Sequence, residues 1–417
     1  MRGLVGALVV VSALGLGGCG ATVDPLGGDP QSAGNPGPSP PAKGTLYSLS
    51  RPASYPNAFA ELLGKTEQEI DQKLDATFER LFHGNPTTEA VYFTVGDDQA
   101  YIQDILHGDV RSEGVALGML IALEMDRREE LDRLWTFASS SLRYATGASR
   151  GYFRSTCADG PCSDPYGHQE LALALLFAHG RWGSDGGIDY GAEALQLLDV
   201  LWNKERDNGG VVDGVTNVFG VESWLPVDEP TTSRARVTRP ENVKPGYYAL
   251  FAQATGDEKW AKAAAAGREF LKAAAHPKSG LLPSRAGFDG VPEPGSDTFT
   301  PEVYRAQLNM ALDHVFGAEE PWYGTESNRL LGFFAGQGMT TYGASYSLDG
   351  ARCLDCTRSL ALVCMNGVSA LSASTADKSS FVDAVWQLES VTGDNRYYDG
   401  ILHLLSLLTL SGRLRVY

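Results

Sequence analysis

The stretch Gly108-Asp109-Val110-Arg111-Ser112-Glu113-Gly114 sets one carboxylate, Glu113, directly before a glycine and an apolar run of Val115, Ala116, Leu117, Met119, Leu120, Ile121 and Leu123. The run has no polar stripe, so it predicts a helix over 113–125 that is buried nearly all round. Glu113 then lies at the mouth of a buried helix, near the positive end of its dipole and close to apolar walls. The dipole favours the charged carboxylate, whereas desolvation favours the neutral acid. Where desolvation wins, the group keeps a proton and serves as a general acid. The plainer reading of the same residues is a helix-terminal Glu paired with Arg111.

Working outward, helical periodicity recurs near 67–83, 128–146, 168–182, 190–203, 243–255, 257–276, 302–316, 325–337, 358–372, 377–391 and 394–411. Some segments are almost wholly apolar, such as Leu171-Ala-Leu-Ala-Leu-Leu-Phe177, and others carry a polar face, such as Lys65-Thr-Glu-Gln-Glu-Ile-Asp-Gln-Lys73. With 113–125 these make twelve helices, buried ones paired with amphipathic ones. Six inner and six outer helices require that number, so the expected class is all-α, an (α/α)6 barrel. Strand-like pieces are few: Ala90–Val95 and Gly209–Val218. Loops rich in Gly, Asp and aromatic residues join the helices and would line a substrate groove.

The N-terminus has a different character. Met1-Arg2 and the apolar Leu4–Leu16 have the n- and h-regions of an export signal, too short to span a membrane. They close on Leu16-Gly17-Gly18-Cys19, which resembles a bacterial lipobox. The resemblance implies cleavage before Cys19 and lipidation of its thiol, and hence an exported, membrane-anchored protein. Residues 1–18 are thus the expected signal, 19–46 a Gly/Pro/Ser-rich tether that cannot bury a core, and 47–417 one globular domain.

The 417 residues carry a formal net charge of −17, which excludes nucleic acid and anionic membrane surfaces as partners and leaves a neutral polymer such as a polysaccharide. Membrane contact is expected only through the N-terminal lipid, and the protein is expected to be a monomer. In an oxidising compartment two disulfides are expected between cysteines close in sequence, one joining Cys157 and Cys162 and one joining Cys353 and Cys356, with Cys364 a buried thiol. No histidine stands at zinc-ligand spacing from either pair, and no metal or cofactor is expected.

Motifs in fixed order then carry a family resemblance. They are Ala90-Val-Tyr-Phe-Thr-Val-Gly-Asp97, Asp109-Val-Arg-Ser-Glu-Gly114, Asp132-Arg-Leu-Trp135, Gly151-Tyr-Phe153, Ala275-His-Pro277, Arg305 with Asn309, Arg396-Tyr-Tyr-Asp-Gly400 and Ser411-Gly-Arg-Leu-Arg-Val-Tyr417. From about Arg80 to Tyr417 the chain resembles glycoside hydrolase family 8, most closely its reducing-end-xylose-releasing exo-oligoxylanases. The resemblance implies an (α/α)6 barrel and an inverting hydrolase of β-1,4-linked glycans, with Glu113 as general acid. It also implies sugar contacts at Asp109, Tyr166, Arg305 and Tyr398.

The chain departs from the family pattern at several positions. It reads Pro165-Tyr166-Gly167-His168 where the family has Pro-Asp-Gly-Glu. It reads Pro301-Glu302-Val-Tyr-Arg305 where the family has its aspartate base before Ala-x-Arg. It reads Arg239-Pro240-Glu241-Asn242-Val243 where the family has Asp-Pro-Ser-Tyr-His, and Ser155 stands near an expected Trp.

Inversion needs one protonated and one ionised carboxyl with a water between them. Glu302 can supply the second group, although a Glu just after Pro301 also suits a helix start without any function. His168 and Glu170, beside the altered aspartate, read as satisfied polar groups at a helix start, with acid–base chemistry as the alternative. Trp135 and Trp182 fall within helical patterns and read as core. Trp224 and Trp322 read as loop residues, with Trp224 the candidate sugar platform. The substitutions at Tyr166, Arg239 and Glu302 also permit a family relative that binds glycan without cleaving it.

Overall fold

A computed structural model describes residues 44–155 and 163–417. Each of the twelve expected helices is present, preceded by a short α1 (Ala58–Leu63). The outer members are α2 (Glu67–His83), α4 (Arg128–Phe137), α6 (Tyr190–Asn208), α8 (Glu258–Ala274), α10 (Pro321–Gln337) and α12 (Lys378–Trp386). The inner members are α3 (Ser112–Glu124), α5 (Pro165–Trp182), α7 (Pro245–Thr255), α9 (Arg305–Val315), α11 (Leu360–Ser369) and α13 (Arg396–Leu410).

Burial separates the two rings. In α3 every residue but Glu113 is buried, whereas α8 buries only one face through Trp260, Ala263, Ala264, Gly267, Phe270, Leu271 and Ala274. Each fully buried Leu, Ile, Val or Met of the inner ring contributes about 1.5–3 kcal/mol. Around the ring α3 packs on α5, α7 on α9, α9 on α11, α11 on α13, and α13 back on α3. The α5–α7 seam is joined by polar groups: Lys244 Nζ and the Tyr247 hydroxyl donate to the two oxygens of Glu170 at 2.7 and 2.9 Å. The ring closes as an (α/α)6 barrel.

Caps set the helix ends. Thr66 and Glu69 form a capping box on α2, Asp164 caps α5 ahead of Pro165, and Asp189 caps α6, which stops at left-handed Gly209. α4 is shorter than expected, ending at Phe137 and passing into a wide π-turn, Ala138–Leu142. There the Ser139 and Ser140 hydroxyls bond the Thr136 carbonyl. α10 begins at Pro321, so Trp322 is helical rather than in a loop.

The loops carry small antiparallel pieces. β1 (Tyr92–Val95), β2 (Gln99–Asp104) and β3 (Asp109–Val110) form one sheet, with β3 leading straight into α3. β4 (Val237–Thr238) pairs with β5 (Ala286–Gly287), and β6 (Thr298–Phe299) with β7 (Ser345–Ser347) and β8 (Cys353–Asp355). The strand expected over Gly209–Val218 is absent. Gly209, Gly210, Asp213 and Gly214 all have positive φ, which breaks an extended chain, and single bridges such as Val212–Val215 remain.

Of the two expected disulfides, the structure shows one. Cys353 and Cys356 are bonded, and Cys364 is buried and free, its thiol pushed up to about 12 by burial. The other falls on Cys157 and Cys162, which lie outside the described residues, as does Cys19.

Candidate active site

The first turns of α3, α5, α9 and α13 converge at one end of the inner ring, because their side chains touch there. Glu113 Oε2 accepts from Arg305 Nη1 at 2.6 Å, and Oε1 from the Tyr397 hydroxyl at 3.3 Å. The two charged side chains of that pair are only 17% and 7% exposed. Two glycines make the convergence possible. A Cβ on Gly114 would stand 2.7 Å from Cε2 and the hydroxyl oxygen of Tyr397. One on Gly167 would stand 2.8 Å from Asp164 Oδ2 and 2.9 Å from both the Glu113 nitrogen and Ser112 Oγ. The Glu-Gly pair is thus a steric requirement, since the ring that holds Glu113 occupies the space of a side chain at 114.

Burial pulls the pKa of Glu113 up. The charge and hydrogen bond of Arg305, with Arg111 and the Tyr397 hydroxyl behind it, outweigh this and hold the carboxyl below its usual range. Of the opposing effects the sequence left open, the buried guanidinium at hydrogen-bond distance wins over desolvation. Arg111 is not its ion-pair partner. Arg111 binds Asp109 through Nε at 3.0 Å and Asp104 through Nη2 at 3.2 Å. Asp109, the first residue of β3, thus bears on the site by holding Arg111.

Tyr166 is buried, with Lys244 Nζ 3.2 Å and the Arg305 guanidinium carbon 4.0 Å from its ring centroid. An aromatic ring in contact with two cations occupies the aspartate position of the family pattern and meets them through its quadrupole rather than a charge. Burial brings Lys244 down to about 8 in spite of Glu170 beside it.

Tyr398 is half-buried, and its hydroxyl donates to the Pro301 carbonyl. It thereby anchors the 3-10 turn Pro301–Tyr304 that carries Glu302. The Glu302 side chain is exposed and makes no ion pair with Arg305, whose Nε reaches only the Glu302 carbonyl at 3.4 Å. Its charge is felt at Arg239, Glu241 and Tyr398, which places it at the rim of the same cluster.

Arg239 pairs with the buried Asp228 and lies 3.9 Å from Glu241 Oε1. Glu241 is buried, and burial pushes its carboxyl up to about 7 against the pull of Arg305 and Arg239. Asn309 Nδ2 fixes this turn by donating to the carbonyls of Glu241 and Val243 at 2.8 and 3.1 Å.

Glu113, Asp109, Tyr166, Arg305, Tyr398 and Glu302 are therefore brought together. Trp224 is not. It packs 5.8 Å from Trp202 of α6, with Lys262 Nζ of α8 4.8 Å above its ring, and so sits against the outer helices. His168 is neutral and structural, its Nε2 accepting from the Phe153 amide at 2.8 Å and its pKa lowered to about 4 by burial. Glu170 is tied to Lys244 and Tyr247.

Sequence reading passed over Tyr397, Asp164 and Glu241. Tyr397 adjoins the chosen Tyr398. Asp164-Pro165 carries a usable signal, a capping residue followed by an N1 proline. Glu241 carries none, because burial and the approach of Arg305, distant in the chain, set its environment.

The glycosyl hydrolases family 8 model matches residues 103–412. The reducing-end xylose-releasing exo-oligoxylanase Rex8A of Paenibacillus barcinonensis is 34% identical over 382 residues, covering 87% of this chain and 97% of its own. The structure of Rex8A complexed with xylose aligns with a TM-score of 0.82 at 32% identity, over 87% of this chain and 98% of that one. A family 8 xylobiose complex from Teredinibacter turnerae aligns with a TM-score of 0.83 at 31% identity, over 87% and 98% of the two chains. With residues 103–412 spanned by the family model and a relative 34% identical over 87% of the chain, the protein belongs to the glycosyl hydrolases of family 8.

Proposed function

We propose that this protein hydrolyses β-1,4-linked xylo-oligosaccharides with inversion, Glu113 protonating the leaving oxygen and Glu302 activating the water. The observation that carries this reading is the placement of Glu113. It is a nearly buried carboxyl at the mouth of the inner ring, held by Arg305 and Tyr397, with a second carboxyl, Glu302, exposed at the rim of the same cluster. Xylan-type substrates are favoured by the relatives, since Rex8A is a xylose-releasing exo-oligoxylanase and the Teredinibacter turnerae protein binds xylobiose. In the reaction the proton leaves Glu113 as the glycosidic bond breaks, and Glu302 takes one from the water that attacks the anomeric carbon. Incubation with xylo-, cello- and chito-oligosaccharides, with products separated by chromatography, tests this. Xylose release supports it, and intact oligosaccharides in all three series would end it.

A second reading is a glycan-binding protein that does not cleave. It is favoured by the anionic Glu113 clamped by Arg305 and by the aromatic ring of Tyr166 in place of a carboxylate. Binding without turnover would select it. The domain plan of signal 1–18, tether 19–46 and barrel from 47, with lipid on Cys19 anchoring an exported monomer, belongs to the same proposal. Cys19→Ala should move the protein from the membrane fraction to the soluble one, and unchanged fractionation would remove the anchor. A disulfide between Cys157 and Cys162 goes with export to an oxidising compartment. Mass spectrometry of a non-reduced digest should find that bond, and alkylated thiols at Cys157 and Cys162 would exclude it.

A further inference from the structure

The strands β4 and β5 carry a group of charges that the hydrolysis as written does not use. Thr238 stands opposite Ala286 in their antiparallel register, so Arg239 and Arg285, the residues next along, lie side by side. The Asp228 amide donates to the Val237 carbonyl at 2.8 Å, and the Glu293 amide to the Arg285 carbonyl at 3.0 Å, which brings two carboxylates to the same place. Arg239 Nε donates to Asp228 Oδ1, and Arg285 Nη1 to Glu293 Oε2 at 3.1 Å. Arg234 joins them from the loop before β4, with Nε 3.7 Å from Asp228 Oδ2 and Nη1 3.6 Å from Glu293 Oε2. Arg285 Nε lies 3.5 Å from the same Asp228 oxygen.

Three guanidinium groups thus share two carboxylates, and only two hydrogen bonds join them. The Asp228 side chain is fully buried, while those of Arg234, Arg239 and Arg285 stay 35%, 30% and 26% exposed. Among the described residues the Arg234 guanidinium donates no hydrogen bond, and Arg239 and Arg285 each keep an Nη2 without an acceptor. Glu241, 3.9 Å from Arg239 Nη1, is only partly ionised at neutral pH, because burial pushes it up to about 7. In a chain whose net charge is −17, this is a local excess of positive charge with donors left open. It borders the reacting groups. Arg239 leads into the turn Pro240–Asn242, which packs on α9 and on the turn Pro301–Tyr304 that carries Glu302. Arg239 also stands where the family pattern has an aspartate, a reversal of charge at this edge.

We propose that Arg234, Arg239 and Arg285 form a subsite for the carboxylate of a uronic acid borne by the substrate, so that the protein takes acidic, glucuronate-branched xylo-oligosaccharides. The inference rests on the hydrolase reading above and narrows its substrate class. A guanidinium fork matches a carboxylate with two parallel N–H···O bonds, and a chain of xylose alone carries no charge to meet such a fork. The branch carboxylate takes the open Nη donors of Arg239 and Arg285 and the fork of Arg234 from the exposed side. The bonds to Asp228 and Glu293 stay in place and keep the three arginines aimed.

The test is equilibrium binding of xylotriose with and without a single glucuronic acid branch, read by calorimetry on the Glu113→Gln protein so that neither sugar is consumed. Charge-assisted hydrogen bonds to the one carboxylate should make the branched sugar bind about 10- to 100-fold more tightly. Arg234→Gln is the variant to combine with it, because the loss of Arg234 leaves Asp228 bound to Arg239 and the fold intact. It should cut the advantage by about 10-fold, and Arg234→Lys, which keeps the charge without the fork, should restore part of it. An advantage below about threefold, one that survives Arg234→Gln, or an Arg234→Gln protein that loses both sugars alike overturns the proposal. So does free glucuronic acid bound as tightly as the branched sugar, which marks an anion site off the groove. The kcat/KM of the parent protein separates this proposal from the reading it rests on. Cleavage of both sugars without preferential binding leaves the hydrolase and removes the subsite, whereas preferential binding with neither sugar cleaved leaves the subsite and removes the hydrolase.

Discussion

Gly114→Ala tests whether the Glu-Gly pair is a matter of space. A methyl group at 114 would lie 2.7 Å from Tyr397 Cε2 and its hydroxyl oxygen, and 3.1 Å from Cζ. Carbon contacts relax to about 3.5–4.0 Å, so the ring must retreat by about 1 Å. Tyr397 is buried and holds Glu113 Oε1 through a 3.3 Å bond, so the retreat loosens or displaces the Glu113 carboxyl. Misplacement of about 1 Å costs on the order of 100-fold in rate. Stability should change far less, because overpacking costs about 1–3 kcal/mol while replacing a helical glycine by alanine returns about 1 kcal/mol.

The assay pairs kcat/KM on xylotriose with the urea midpoint, and two controls separate the effects. Gly118→Ala, one turn deeper in α3, meets Ile102 Cγ1 at 2.6 Å and should lose stability with little loss of rate. Gly332→Ala in α10 meets nothing within 4 Å and should be neutral or stabilising. A Gly114→Ala protein within about threefold of the parent rate would refute the steric account of the site.

Two further outcomes follow from other buried charges of the inner ring. Glu124, at the far end of α3, is pushed up to about 8 by burial, against the hydrogen bond it accepts from the Tyr417 hydroxyl at 2.9 Å. Its folded value lies above the unfolded one, so the fold holds the extra proton and loses stability as pH rises from about 4.5 towards 8, by at most about 1.4 kcal/mol per unit. Glu124→Gln should flatten urea stability between about pH 5.5 and 7.5 relative to the parent, and parallel curves would refute the assignment. Lys244→Met strands Glu170 and should cost about 3–5 kcal/mol, of which the double change with Glu170→Gln recovers a large part. Thermal unfolding of both reads this, and a neutral Lys244→Met would contradict the buried pair.

The barrel was legible because twelve segments of helical length recur along the chain, apolar ones such as Leu171–Phe177 alternating with amphipathic ones such as Lys65–Lys73. The site was half legible. Glu113, Arg305, Tyr166 and Glu302 follow from ordered motifs, and the structure gathers them. The two- and three-residue strands β3 to β8 have no period to detect, and Gly209–Val218 read as a strand because positive φ leaves no mark in an apolar pattern. The protonation of Glu113 stayed open in the sequence because its partner, Arg305, lies 192 residues away, and only the closed ring brings it within 2.6 Å. Trp224 was chosen for its loop, but Trp202 and Lys262, both from outer helices, fix where it rests.

The central claim is that Glu113 drives an inverting hydrolysis. Proton NMR of xylotriose during the first turnovers, with the parent protein and with Glu113→Gln, tests it most directly. The account predicts that the new reducing end appears first as the α-anomer and later mutarotates, and that Glu113→Gln slows this by about 100- to 10,000-fold without weakening binding. A β-anomer formed first, or a Glu113→Gln protein with full turnover, would contradict it.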